Sequence, residues 1–218
     1  MSAFENRPGH SDAAVIDVGS NSVRLVLYRL DGRAIWTVFN EKVLAGLGRD
    51  LTRTGALAPE AVEAALLALK RFRALIDASR PASTFTAATA AVRVASDGPD
   101  FLRRVEAEAG IRLRVLSGEE EAKFAALGVL AGAPSADGVV GDLGGASLEL
   151  VRLESGQPGN GVTLPLGPFA VHAGGRFDPA RARAAVAEHV TAAIRRRFRA
   201  DAFNAVGGAW RNLGLLHM

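Results

Sequence analysis

The chain has 218 residues, 49% apolar and 22% charged, enough for one large domain or two small ones with an ample core. A net charge of +3 suits an anionic ligand without identifying one, and no apolar run approaches the roughly 20 residues needed to span a bilayer. The lack of cysteine excludes disulfides, thiol catalysis and thiolate metal sites and fits the cytoplasm, while four scattered histidines argue against a His-based metal site or a Ser-His-Asp triad.

The opening residues 1–12 are polar, lack the apolar core of a signal peptide, and read as a flexible leader. β-Branched and apolar runs predict strands near 13–18, 23–30 and 33–39, then 82–87 and 112–116. Between them Pro59 opens a helix on which Val62, Leu66, Leu69, Phe72 and Ile76 form one apolar face. Ser96 is placed to cap a further helix that reaches about Glu108 and stops at Gly110. A second set follows: a helix over 118–131, strands near 138–143, 147–153 and 160–165, and a long helix over 179–199. A short strand at 203–206 then meets Gly207-Gly208 and a final helix. Interleaved strands and helices make this an α/β chain of two lobes, 13–121 and 122–218.

Two stretches share a plan. "VIDVGSNSVRLVL" (Val15–Leu27) and "VGDLGGASLELV" (Val140–Val151) each run an apolar strand into an aspartate, a turn of small residues and a second apolar strand. With Asp17 set on Asp142, Gly19 falls on Gly144, Ser22 on Ser147, Leu25 on Leu150 and Val26 on Val151. Tight turns of small residues let backbone N–H groups converge on an anion. Ser20, Asn21, Ser22 and Ser147 would add side-chain donors, and Gly19, Gly144 and Gly145 would let a phosphate approach the backbone. Asp17 and Asp142 stand where they would suit a divalent cation or its waters. The repeat is asymmetric, since Arg24 is matched by Glu149. If both point inward, the arginine takes phosphate oxygens and the glutamate takes metal.

The "SGEEEAKF" stretch holds Glu119, Glu120 and Glu121. Acids in a first helical turn favour the helix dipole, and Ser117 with Glu120 forms a capping box. Glu119 is expected to be solvated. Glu121, one residue past the box, could orient and deprotonate a water facing a phosphate-filled cleft. Arg195, Arg196, Arg197 and Arg199 could guide a long polyanion, or could simply be a solvated helix end.

The ordered motifs "IDVGSNSVRLVL", "AATAAVR", "SGEEEAKF", "GDLGGASLEL" and "AVGGAWRNLGLLHM" resemble the exopolyphosphatase and guanosine pentaphosphate phosphohydrolase (Ppx/GppA) family. The resemblance implies two ribonuclease H-like lobes of the actin-like ATPase and sugar kinase superfold. It implies phosphate loops at Asp17–Arg24 and Asp142–Glu149, including Ala146, a further phosphate contact at Arg93, and a third glycine-rich element at Gly207 and Gly208. It also implies Glu121 as general base and Mg²⁺ held by Asp142 and Glu149, with Asp17 as a further metal candidate. Three residues depart from the family pattern. Ala146 stands where a third glycine is usual, Leu148 where threonine is common, and Ala209 where a small hydroxyl residue is usual. A left-handed backbone at Ala146 would crowd a phosphate. Because family members continue beyond this ending, the second lobe is expected to be incomplete.

The resulting expectation is an Mg²⁺-dependent exopolyphosphatase acting in the cleft between its lobes. Guanosine pentaphosphate 5′-phosphohydrolase, a catalytically impaired phosphate or alarmone binder, and a nucleotide-dependent kinase of the same superfold are the alternatives. The expected partners are inorganic polyphosphate or guanosine pentaphosphate, with a possible homodimer and neither membrane nor nucleic acid.

Overall fold

Apolar residues flank the Val18–Val23 turn on both sides, and the two runs pair as an antiparallel hairpin of β1 (His10–Val18) and β2 (Val23–Asp31). The structure, a computed structural model, describes residues 10–32, 34–172 and 178–217. Residues 1–9 of the expected leader lie outside the described residues, whereas His10–Asp12 already belong to β1. The third strand, β3 (Ala34–Val43), extends the hairpin outward and runs four residues past its expected end at 39.

The chain packs as two units, residues 1–49 with 55–115, and 50–54 with 116–218. The division falls a few residues ahead of the boundary expected at Glu121. The reason is local: α5 (below) begins at its capping box and packs on strands of the second unit. The short helix α1 (Leu51–Thr54) also belongs to the second unit.

In the first unit, α2 (Pro59–Ser79) starts with proline in its first turn and ends at Arg80 in a left-handed cap. Val62, Leu66, Leu69, Phe72 and Ile76 are all buried, as their spacing predicts. Each such side chain contributes roughly 1.5–3 kcal/mol on burial. β4 (Ser83–Ala88) lies parallel to β1 and leads into α3 (Ala90–Val94). The next helix, α4 (Gly98–Ala109), stops at Gly110 with φ 64°. Ser96 does not cap it: its hydroxyl donates to the Gly55 carbonyl at 3.0 Å, and Asp97 occupies the cap position. The Asp97 carboxylate accepts instead from the Leu57 amide at 2.9 Å, so both polar residues tie the helix start to the preceding loop. β5 (Arg114–Val115) is shorter than expected, and the sheet order is β3-β2-β1-β4-β5.

In the second unit, α5 (Gly118–Gly132) precedes the hairpin β6 (Gly138–Leu143) and β7 (Leu148–Glu154). β8 (Gln157–Pro158) and β9 (Val162–Leu164) share the outer edge of β7. Ala122 and Ala126 of α5 pack with Val140, Val151 and Leu153 on one sheet face. Val139, Leu150, Leu164 and Leu166 fill the other. α6 (Pro168–His172) follows, and the expected 179–199 helix is in fact two, α7 (Pro179–His189) and α8 (Ala192–Arg197). Thr191 breaks it: its side chain accepts from the Ile194 amide at 3.3 Å, so a cap forms where helix would otherwise continue. β10 (Phe203–Val206) pairs parallel to β6, and α9 (Gly208–His217) follows. No described helix is long and apolar enough to cross a membrane.

Candidate active site

The two hairpins share one register. In the first, Asp17 stands opposite Arg24 and Val18 opposite Val23. In the second, Asp142 stands opposite Glu149 and Leu143 opposite Leu148. Each turn closes the same way, with Gly19 N–H donating to Ser22 O at 2.9 Å and Gly144 N–H to Ser147 O at 3.0 Å.

The equivalence extends to a segment that braces each turn. After β3, the amides of Gly46 and Gly48 donate to the carbonyls of Asn21 (3.0 Å) and Ser20 (2.8 Å). After β9, the amides of Gly167 and Phe169 donate to the carbonyls of Ala146 (3.1 Å) and Gly145 (2.8 Å). Binding these carbonyls has a chemical consequence, because an unsatisfied carbonyl oxygen would repel a phosphate. Gly46 is required by its φ of 76°. At Gly167 the reason is space, since an added Cβ would lie 2.5 Å from the Ala146 nitrogen. Neither brace was expected from sequence.

The geometry modifies the expected anion nest. Gly19 and Gly144 use their own N–H groups to close the turns, which leaves residues 20–22 and 145–147 as the candidate donors of such a nest. None of Gly19, Gly144, Gly145 or Ala146 has positive φ. Ala146 therefore carries its methyl without backbone strain, and its departure from the family pattern does not distort the turn. An added Cβ would meet only Ser22 O at 3.4 Å at Gly19, and only Ser147 O at 3.6 Å at Gly144. The fold itself would accept a side chain at both positions.

Around the first turn, Ser20 is buried, Gly19 and Ser22 are half-buried, and Asn21 and Arg24 are exposed. Lys42 on β3 stands opposite Arg24, extending the row Asp17–Arg24–Lys42 across three strands. Arg24 Nε donates to Asn40 Oδ1 at 2.8 Å, which holds the guanidinium on this row. Lys42 and Asn40 were missed because only the three-strand register brings them to Arg24. Solvent reaches the Asp17 side chain, yet the protein around it is dense, and the resulting desolvation raises its pKa above the usual 3.8. Arg24 and then Lys42 pull it back down. Val18 O accepts from Thr89 N–H at 3.1 Å, which brings the start of α3, the helix carrying half-buried Arg93, to the end of β1.

In the second unit the corresponding row is Asp142–Glu149–Thr163. Glu149 is only 3% exposed, Ser147 is buried and Asp142 is half-buried. Gly207 follows β10 beside Asp142: an added Cβ would lie 2.7 Å from Leu143 O and 2.9 Å from Asp142 Oδ1, at φ 104°. Gly208 has open space around it. The capping box forms as expected, with Ser117 N–H donating to Glu120 Oε2 (2.9 Å) and Glu120 N–H to Ser117 Oγ (3.2 Å). Glu119 is exposed and Glu121 half-buried in the first turn of α5. Gly118 lies so close to Thr163 that an added Cβ would overlap its Oγ1. That contact brings the turn carrying Glu121 alongside the Thr163–Glu149–Asp142 row.

The two acids fit a hard cation. Two opposed carboxylates in a partly buried row suit Mg²⁺, which takes one or two protein carboxylates and keeps several waters. Among the described residues no group of three or more His, Asp or Glu side chains gathers as a metal site. Asp17, the further metal candidate, lies in the first unit with Arg24 opposite it on β2 and Ala87 opposite it on β4.

The sequence model of the Ppx/GppA phosphatase family matches residues 26–203, a span that takes in Arg93, Glu121 and the second turn. Among solved structures, an exopolyphosphatase-like protein is 27% identical with a TM-score of 0.81, over 92% of this chain and 67% of its own. The Ppx/GppA family member of Aquifex aeolicus is 25% identical with a TM-score of 0.75, over 95% of this chain and 70% of its own. An exopolyphosphatase from Cytophaga hutchinsonii shares the fold at a TM-score of 0.85 and 24% identity, over 94% of this chain and 69% of its own. The doubled, braced turn with its carboxylate pair thus sits in a chain that belongs to the Ppx/GppA phosphatase family.

Proposed function

We propose that this chain hydrolyses the terminal phosphoanhydride bond of inorganic polyphosphate. The observation that carries the reading is the asymmetric repeat: one braced turn is flanked by a cationic row, Arg24 and Lys42, the other by a carboxylate row, Asp142 and Glu149. A phosphate chain needs both, donors and cations for its oxygens and acids for its counter-ion. The name of the exopolyphosphatase-like relative agrees with this substrate class.

Each residue then has a role. Backbone N–H groups of residues 20–22 and 145–147, with Asn21 and Ser22, bind phosphate oxygens. Arg24 and Arg93 offset charge on the same oxygens, and Lys42 adds to the field. Asp142 and Glu149 would hold Mg²⁺, which when bound supplies charge neutralisation at the phosphates. Glu121 holds a water in line with the leaving oxygen and takes its proton as the new P–O bond forms. The cytoplasm is the compartment that this chemistry and the cysteine-free sequence fit.

The test is orthophosphate release from long-chain polyphosphate and from guanosine pentaphosphate, side by side, with and without Mg²⁺. Mg²⁺-dependent release that favours polyphosphate is the expected result. Faster release from the pentaphosphate would move the assignment to the guanosine substrate, and release from neither would leave a binding protein.

A further inference from the structure

Several arginines of the first unit are engaged by acids, among them Arg29 by Asp12, Arg71 by Glu41, Arg73 by Asp77, and Arg104 by Glu63 and Glu108. The second unit is different. From α7 onward it carries Arg181, Arg183, Arg195, Arg196, Arg197, Arg199 and Arg211 against Asp178, Glu188 and Asp201. Asp178 is occupied in capping α7.

Two arginines there are structural. Arg197 donates to the Asn160 carbonyl at 2.7 Å and lies over the Phe198 ring at 5.0 Å. Arg152 donates to the Arg199 carbonyl at 2.6 Å. Together they pin the 197–199 backbone to β7 and its edge. Arg196 and Arg199 make no ion pair among the described residues and are exposed. They line, with Arg152, a groove of about 460 Å³ completed by Asp137, Gly138 and the 200–202 segment. A second groove of about 410 Å³, lined by Arg152, Arg197 and Phe198 among others, shares Arg152 with it.

The groove lies at the wrong end of the sheet to serve the turn. Gly138 is the first residue of β6, whereas the 144–147 turn leaves its last, about 17 Å away along the strand. The groove and the second turn are therefore not one contiguous site. We propose that this groove is a separate, non-catalytic binding site for an oligophosphate chain. Arg152 is engaged by Glu154 and by the Arg199 carbonyl, and Asp137 and Asp201 stand on the wall, so the cations left for a ligand are Arg196 and Arg199, and an anion held here must reach both. Among the described residues no aromatic side chain lines the groove, so it offers no platform there for stacking bases, which fits a phosphate chain better than single-stranded RNA.

The proposal rests on a polyphosphate substrate only for its ligand's identity, and binding separates it from turnover. Anisotropy of labelled long-chain polyphosphate, without Mg²⁺, is measured across a salt series for the wild type and the paired substitutions R196A and R199A. We expect about tenfold weaker binding and a log–log salt slope shallower by about 1.5, from two lost phosphate contacts. Lysine at both positions should retain most of the affinity, and orthophosphate release from tripolyphosphate should be unchanged in all variants. Displacement by tripolyphosphate and GTP at equal concentrations supports a site that reads the phosphate chain alone, and displacement by GTP only overturns it. Unchanged affinity and slope in the alanine pair, no binding by the wild type, or equally tight binding of single-stranded RNA of matched charge also overturns it. Loss of phosphate release in every form of the protein, with the arginine effect intact, removes the hydrolase reading and leaves the groove standing.

Discussion

Asp142 and Glu149 stand directly opposite each other on adjacent antiparallel strands, at the register where the first unit pairs Asp17 with Arg24. A position of opposite charges in one hairpin is thus a like-charge position in its copy. Opposed like charges on a sheet are destabilising, by roughly 0.2–1 kcal/mol relative to a neutral pair. Such a pair is explained when a cation shares it. Without Mg²⁺, Glu149→Gln should therefore raise thermal stability by about that amount, and should shrink the stabilisation that added Mg²⁺ gives. Thermal unfolding with and without Mg²⁺ checks this. A less stable variant with an undiminished Mg²⁺ response would refute the pair as a cation site.

Gly207 and Gly208 are adjacent and make opposite demands. At Gly207 a methyl group meets Leu143 O and Asp142 Oδ1 at a left-handed φ, so Gly207→Ala should cost about 1–3 kcal/mol and displace Asp142. At Gly208 nothing lies within reach, and Gly208→Ala should stay within about 0.5 kcal/mol of the wild type. Denaturant unfolding of the two variants makes the comparison, and similar midpoints would contradict the close approach at Gly207.

The contact between Gly118 and Thr163 positions the turn that carries Glu121. Gly118→Ala should cost about 1–3 kcal/mol by overpacking and should slow phosphate release. Adding Thr163→Ala removes Oγ1 and Cγ2 and should restore part of both losses. A double-mutant cycle reads the coupling directly, and strictly additive effects would show that the two residues do not meet.

Burial raises the Asp17 carboxyl above its usual 3.8. The folded state then holds the proton more tightly than the unfolded chain does. Its contribution to stability is complete below the unfolded value and is lost as pH rises through the folded one. At neutral pH the ionised side chain costs stability, and Asp17→Asn should be slightly more stable than the wild type. The gain should vanish near pH 3. Denaturant midpoints at pH 7 and pH 3 decide the matter, since a difference independent of pH would contradict the shift.

Much of this was legible in the sequence because it was written locally. The hairpin register follows from apolar runs flanking a four-residue turn, and the Ser117–Glu120 box is a short-range pattern that forms as expected. The braces at Gly46 and Gly167 were not legible, because they are backbone hydrogen bonds to the carbonyls of Asn21 and Ala146, and no side-chain pattern encodes them. Lys42 was hidden for a related reason: its place beside Arg24 depends on a strand that pairs across a bulge at Leu27 and Tyr28. Thr191 shows the reverse failure. Helical spacing over 179–199 was clear, but a single side-chain cap overrode it. Ser96 was a sound capping candidate whose hydroxyl the fold used for Gly55 instead.

The most direct measurement is orthophosphate release from polyphosphate with Mg²⁺ by the wild type and by Glu121→Gln. As general base, Glu121 should be worth roughly 10²–10⁴-fold in rate, with polyphosphate binding and unfolding midpoint preserved in the variant. Equal rates for the two proteins would contradict the assignment of Glu121.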